Sequence, residues 1–176
     1  MKVFSFLMVF VVSGCASIPL TTMMKFSTFQ KSDFVSLEPE DIKARLIIDQ
    51  PVEIDIEKVN LGLEVESQQV NRVYKFPLSI LETRAIPAKE GWLASDEAKT
   101  EYTFELNEES VKNFHEVQQL LENDTEGKFG FSVDTGFGSV PPDLEKINLS
   151  ILLKLDSTED FVPIFEDATL DIKRDD

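Results

Sequence analysis

Few residues in this chain could do covalent or metal chemistry. There is one cysteine, Cys15, and one histidine, His115. A Ser-His-Asp arrangement needs a histidine held by a carboxylate and beside a hydroxyl. His115 falls at the edge of an amphipathic stretch, four residues after Val111, and no G-x-S-x-G elbow exists to partner it. It reads as a surface or half-buried helix residue. Zinc and copper sites take several His or Cys ligands, which one of each does not supply. Carboxylates are abundant, with 33 Asp and Glu against 17 Lys and Arg. Hard cations such as calcium take oxygen ligands. Two clusters qualify by composition: Asp156, Glu159 and Asp160 in "DSTED", and the acids of "ENDTEG" from Glu122 to Gly127. Neither has the EF-hand spacing with its glycine at position six. Asp and Asn also favour turns for local reasons, so both stretches read as turns. Gly127, Gly130, Gly136 and Gly138 sit on a strand and its turn. They do not lie between a strand and a helix, where a phosphate could be cradled.

The sharpest catalytic coincidence is "FSVDTGFG". Val133-Asp134-Thr135-Gly136 resembles the Asp-Thr-Gly signature of aspartic proteases. In that family two carboxylates about 3 Å apart share one proton, because both cannot ionise. One triplet per chain implies a symmetric dimer with Asp134 as the catalytic carboxylate. Phe137 stands where the family has a small residue, and no later apolar-apolar-Gly segment follows. The plainer reading is a strand, Phe129–Val133, running into a turn shaped by Asp134 and Thr135.

Cys15 has a clearer meaning. Lys2 is followed by ten uncharged, mostly apolar residues, Val3 to Val12, then Ser13, Gly14 and Cys15. That run is shorter than the roughly 20 residues a spanning helix needs, and it suits a signal peptide. Val12-Ser13-Gly14-Cys15 resembles the lipobox of bacterial lipoproteins. The resemblance implies cleavage before Cys15 and diacylglycerol on its thiol, with further acylation of the new amino terminus. A lipidated Cys15 leaves no disulfide to staple the fold. Ala16 after the cysteine resembles the enterobacterial pattern for an outer-membrane destination facing the periplasm.

The net charge of −16 excludes partners too. A strongly acidic domain with no Lys/Arg stripe repels phosphate backbones, so nucleic acid is not expected. Anionic headgroups repel it as well, and the membrane is reached through the lipid on Cys15.

These residues must be positioned by a β-rich domain. The organisation expected is a signal peptide over 1–14, a lipidated cysteine with a tether or first strand over 15–31, and one domain over 32–176. Met23, Met24, Phe26 and Phe29 make residues 16–31 too apolar for a free linker. Ser32 is placed to cap a single helical turn that ends before Pro39. From Ile42 the apolar period is two: Ile42, Ala44, Leu46 and Ile48, then Val52, Ile54 and Ile56. The phase then slips to Val59, Leu61, Leu63 and Val65, which predicts a bulge or short turn near Lys58. Tyr74 to Ile80 make another strand, and Pro77 marks it as an edge or a break. Further alternation covers Tyr102–Leu106, Phe129–Val133, Ile147–Leu155 and Ala168–Ile172. The spacing of Val111, Phe114, Val117 and Leu121 predicts one helix over about 108–123, with Asn107 as its cap.

Short alternating strands with one apolar face predict a mostly β fold, an antiparallel sandwich of immunoglobulin-like architecture with one inserted amphipathic helix. On the lipobox, the short apolar tether and "VSLEPEDIKARLIIDQP", the chain resembles a group of uncharacterised Gram-negative lipoproteins with a single β-rich periplasmic domain. The expected function is a lipid-anchored, non-catalytic binding or structural partner in the cell envelope, with no cofactor. The acidic face of Glu53, Asp55, Glu57, Glu64 and Glu66 is its candidate surface for a basic envelope protein. The alternatives are a dimeric aspartic-type hydrolase, or a carbohydrate- or calcium-binding module in which Trp92 of "EGWLASD" stacks on a sugar.

Overall fold

Ile42, Ala44, Leu46 and Ile48 are buried, while Lys43, Arg45 and Ile47 between them are half-buried. One face of an extended chain therefore rests on a core, as the period of two requires. The computed structural model describes residues 29–67, 71–90, 95–122 and 127–172. Within them lie a short helix α1 (Lys31–Val35) and a 3-10 turn (Pro39–Asp41). Strands β1 (Lys43–Asp49), β2 (Glu53–Ser67) and β3 (Asn71–Ile86) follow. Next come β4 (Lys89–Glu90), β5 (Ser95–Asp96), β6 (Lys99–Leu106) and helix α2 (Glu108–Glu122), and the order ends with β7 (Gly127–Ser139), β8 (Lys146–Lys154) and β9 (Val162–Asp171). The signal peptide, Cys15, most of the tether, Trp92 and residues 123–126 lie outside the described residues.

The fold is mostly β. Seven strands pair in the order β7-β2-β3-β6-β1-β8-β9, and every pair is antiparallel. They make one nearly closed, barrel-like sheet, and the two strands at its ends are β7 and β9. β4 and β5 pair only with each other.

Two of the irregularities in this sheet answer the sequence reading. Asp55 pairs with Gly136 and Asn60 with Asp134, so residues 56–59 of β2 stand against Thr135 alone. This is the expected phase slip, larger than a single extra residue. It puts Val52 and Ile54 inside before the bulge and Val59, Leu61, Leu63 and Val65 inside after it. Ile56, expected on the apolar face, falls in the bulge and is 42% exposed. The second irregularity is at Pro77. Of the two readings, edge or break, the structure has the break: β3 lies inside the strand order but its ladder is interrupted at Pro77. Residues 71–77 pair with β2, and residues 78–86 pair with β6. The proline, which has no N–H to give, stands where the strand changes partners.

The helices rest on an aromatic cluster. Phe114 of α2 lies 5.1 Å from both Phe34 and Phe76, and Phe34 stacks on Phe129 at 5.3 Å. Phe34, Phe76 and Phe114 are among the largest fully buried side chains. Each fully buried ring contributes about 1.5–3 kcal/mol of transfer free energy. Asn107 Oδ1 accepts the Ser110 backbone N–H at 2.8 Å, the expected cap of α2. α1 differs from expectation by two residues. Gln30, not Ser32, is its N-cap, and the Gln30 N–H donates to Asp33 Oδ2 at 2.8 Å. The other end of α1 is held by Gln118 of α2. Its Nε2 donates to the carbonyls of Phe34, Val35 and Leu37 at 3.0, 3.3 and 2.8 Å.

Candidate functional site

An odd number of antiparallel strands leaves its two end strands running in the same direction. β7 and β9 therefore cannot close on each other in the antiparallel pattern used elsewhere in the sheet. Between them lies a cavity of about 370 Å³ lined by Val133, Phe137, Leu149, Ile151, Phe165 and Leu170, with Asp134, Thr135 and Ala168 also at its wall. Phe137 and Leu170, one from each end strand, are each 37% exposed. Among the described residues β7 and β9 are the ends of the strand order, and strand edges can present backbone donors and acceptors that other chains read. Apolar residues on both walls add side-chain affinity to that backbone complementarity.

Local sequence sets each wall. In β7 the odd residues Val133, Thr135 and Phe137 alternate with Asp134 and Gly136, and the β2 bulge faces them. Gly136 lies close under that bulge: a Cβ there would meet Lys58 Cδ at 3.4 Å. The bulge itself is stapled by Lys58 Nζ to Asp55 Oδ2 at 2.7 Å. This hydrogen bond holds the Asp55 carboxyl below its ordinary range, and the same contact raises Lys58. In β9 a second bulge falls between Phe165 and Ala168. Asp167 there has φ of 46°, a left-handed conformation that Asp tolerates better than most residues. Its N–H donates to Ser150 Oγ at 2.9 Å.

Asp134, Thr135 and Gly136 belong to β7 and not to a turn, which corrects the sequence reading. The Asp134 carboxylate pairs with Lys75 Nζ at 2.7 Å, and the Thr135 hydroxyl donates to the Gly136 carbonyl at 3.2 Å. No protein-family model, curated protein or solved structure matches this chain. The cleft must therefore be read from its own residues, and these are chiefly aliphatic and aromatic.

The other candidate residues lie elsewhere. His115 is on α2, with Nδ1 2.9 Å from Gln118 Oε1 and Nε2 4.0 Å from Glu40 Oε1. Asp156 Oδ1 accepts from the Thr158 N–H at 2.7 Å and its hydroxyl at 2.6 Å, closing the turn between β8 and β9. Among the described residues, no group of three His, Cys, Asp or Glu side chains comes together as a metal site. Glu53, Glu57, Glu64 and Glu66 are exposed on β2 and Asp55 is half-buried. The bulge separates Glu53, Asp55 and Glu57 from Glu64 and Glu66 along the strand. Among the described residues, no helix is long and apolar enough to cross a membrane.

Two features carry no mark in the sequence motifs. Gln118, a polar residue on the helix stripe, turns out to be buried and to hold α1. A ladder of charged and polar side chains also runs across β3, β6, β1, β8 and β9. Glu101, only 6% exposed, meets Arg84 at 3.0 Å and Arg45 at 3.8 Å, and Arg45 lies over the Phe161 ring at 3.9 Å. Asp49 accepts from Asn148 Nδ2 at 2.7 Å and faces Lys99, which also reaches Asp167 at 3.3 Å.

Proposed function

We propose that this is a lipid-anchored protein of the bacterial cell envelope, held through Cys15 and facing the periplasm from the outer membrane. On this reading the β domain is a non-catalytic binding module. The observation that supports it is the cleft between β7 and β9: apolar walls between the two end strands of the described sheet, suited to an extended apolar chain. The acidic residues Glu53, Asp55, Glu57, Glu64 and Glu66 are a further surface for a basic partner on the same reading. We read the two halves of the sheet, joined through β3, as the layers of a flattened barrel. That is the nearest form to the immunoglobulin-like sandwich expected from the strand pattern.

The anchor is tested by Cys15→Ser. The variant should lose labelling by palmitate and cleavage before residue 15. Labelled palmitate entering the Ser variant would overturn the anchor. The binding module is tested by a photoreactive residue at Phe137 or Leu170 of the membrane-borne protein. Reproducible capture of one envelope protein at both positions, competed by the purified domain, is the expected result.

A specific observation keeps the hydrolase as a second reading: Asp134 and Thr135 line the same cleft. It requires a dimer and acid-dependent peptide cleavage.

A further inference from the structure

The break at Pro77 leaves one side of β3 without a neighbour. Residues 78–86 pair with β6, and no described residue pairs with their other side. Residues 53–59 of β2, which would come next, have no pairing with β3. A strand on a core buries alternate residues, as β1 does. Residues 79–85 are instead exposed one after another, so neither face of this stretch is covered. Ile80 and Leu81 stand 38% and 52% exposed. The free stretch is bounded at both ends. Leu81 is a bulge residue with no counterpart on β6, and Pro87 has no N–H to give. Between these limits lie Leu81-Glu82-Thr83-Arg84-Ala85.

These residues are complementary to themselves when two copies run antiparallel. With Thr83 facing Thr83, Glu82 faces Arg84, Arg84 faces Glu82, and Leu81 faces Ala85. Glu82 and Arg84 share the side of the sheet that carries Thr103 and Glu101, their partners on β6, while Thr83 stands opposite the core residue Tyr102. Arg84 meets Glu101 at 3.0 Å and keeps its side chain 59% exposed. Glu82 is exposed and makes no ion pair with a described residue. Facing copies give each Glu82 a guanidinium and carry the row Arg45, Glu101, Arg84 across the axis. Opposite charges directly across two strands are favourable and like charges are not. An axis moved to Glu82 or to Arg84 sets like charges face to face, so charge selects the register centred on Thr83.

We propose that two copies of this chain associate through this stretch, antiparallel about Thr83, so that one sheet runs from β6 and β3 into β3 and β6 of the second copy. A self-complementary contact of this kind closes on itself and leaves no edge there for a third copy. The inference uses neither the cleft nor the anchor proposed above. The net charge of −16 opposes it at long range, a repulsion screened beyond about 10 Å at 0.1 M salt, so association is measured at about that ionic strength.

The test uses the full chain with Cys15→Ser, in which an introduced cysteine is the only thiol. Thr83→Cys places its two copies on facing residues, with Cα atoms about 4.5–5.5 Å apart and within disulfide reach. Ser79→Cys is also exposed but lies four residues from the axis, which puts its two copies about 27 Å apart at roughly 3.4 Å per residue. On mild oxidation Thr83→Cys should form disulfide-linked dimers at least about tenfold faster than Ser79→Cys. Adding Glu82→Lys sets cations face to face and should slow the Thr83→Cys dimer roughly tenfold. Equal rates for the two cysteines, or a rate unchanged by Glu82→Lys, overturn the proposal. Amide exchange of the wild-type chain needs no thiol. Exchange at residues 81–85 should slow as protein concentration rises, with β8 unchanged. Exchange independent of concentration overturns the pairing, and slowing only on addition of a membrane extract overturns it in favour of a different protein at this edge.

Discussion

Lys75 on β3 reaches across β2 to Asp134 on β7, with Nζ and Oδ2 2.7 Å apart. Between them on β2 is Gly62, which pairs with Lys75 on one side and Ser132 on the other. The Ser132 side chain fills the place a Cβ would take at Gly62. Both partners are substantially exposed, 62% and 46% by side chain. Such pairs contribute about 0–1 kcal/mol. Asp134→Asn should therefore shift the urea midpoint by an amount worth about 1 kcal/mol or less. The same variant examines the hydrolase reading. On the binding reading, wild type and variant alike leave a mixed peptide library uncut between pH 3 and pH 8. Cleavage by the wild type that disappears in Asp134→Asn would reverse that reading.

The Gln118 amide is the sharper stability test. Gln118→Ala removes one donor group from three carbonyls at the end of α1. Orphaned buried acceptors cost about 1–3 kcal/mol, and about 2 kcal/mol of lost stability is expected by urea unfolding. Gln118→Glu should be worse at neutral pH, because an ionised carboxylate can only accept and faces other acceptors. Some of that loss should return on acidification, when the protonated acid can donate. A Gln118→Glu variant equally stable at pH 4 and pH 7 would contradict this account.

Phe114→Asp buries a carboxylate between Phe34 and Phe76. A loss above about 4 kcal/mol, or failure to fold, is expected. Phe114→Leu keeps the site apolar and should cost less, about 1–2 kcal/mol, because only a fraction of the ring volume is lost. Thermal melting of the two variants separates the polar penalty from the cavity.

Lys99 gives a pH dependence. Burial works against its charge, but the hydrogen bond to Asp167 and the charge of Asp49 prevail, and its pKa is raised above the ordinary 10.5. A raised lysine contributes stability in full below its ordinary value and loses it as pH climbs through the folded one. Compared with Lys99→Met, the wild type should be more stable by about 1 kcal/mol at pH 8, a modest figure for a half-exposed pair. That gap should narrow above pH 10.5. The Tyr102 phenol, pushed up chiefly by burial, adds alkaline instability to both proteins, so the difference between them is the quantity to follow. A gap that stays constant to pH 11.5 would remove the ion pairs from the explanation.

Much of the fold is legible because strand and helix periods are local. The alternation of Ile42 to Ile48 and of Ile147 to Leu155, and the stripe of Phe114, Val117 and Leu121, are all buried as their spacing predicts. The slip near Lys58 is legible as a change of phase, though not its size, which depends on Thr135 standing alone on the partner strand. Pro77 is legible as an edge or a break, because its missing N–H interrupts a ladder in either case. The break is what occurs, as a handover between two neighbours, and no local rule separates the two. The cleft is illegible for a deeper reason. Phe137 and Leu170 become its walls only because β7 and β9 are the ends of the strand order, and that order is set by pairings far apart in sequence. Gln118 is hidden likewise, since its carbonyl partners lie more than 80 residues away.

The staple on α1 has a mechanical consequence. A pull on the chain upstream of Phe29 reaches the domain at α1. There, three Gln118 bonds, the Lys31 Nζ bond to the Glu122 carbonyl at 3.2 Å and the Phe34 ring between Phe114 and Phe129 bear the load together. A pull at the other terminus meets β9, an end strand whose bonds to β8 can break in succession. Forced unfolding should therefore be direction-dependent, with the domain tougher toward its N-terminal side. If that side carries the attachment to a surface, the domain is strongest along the line on which it is held.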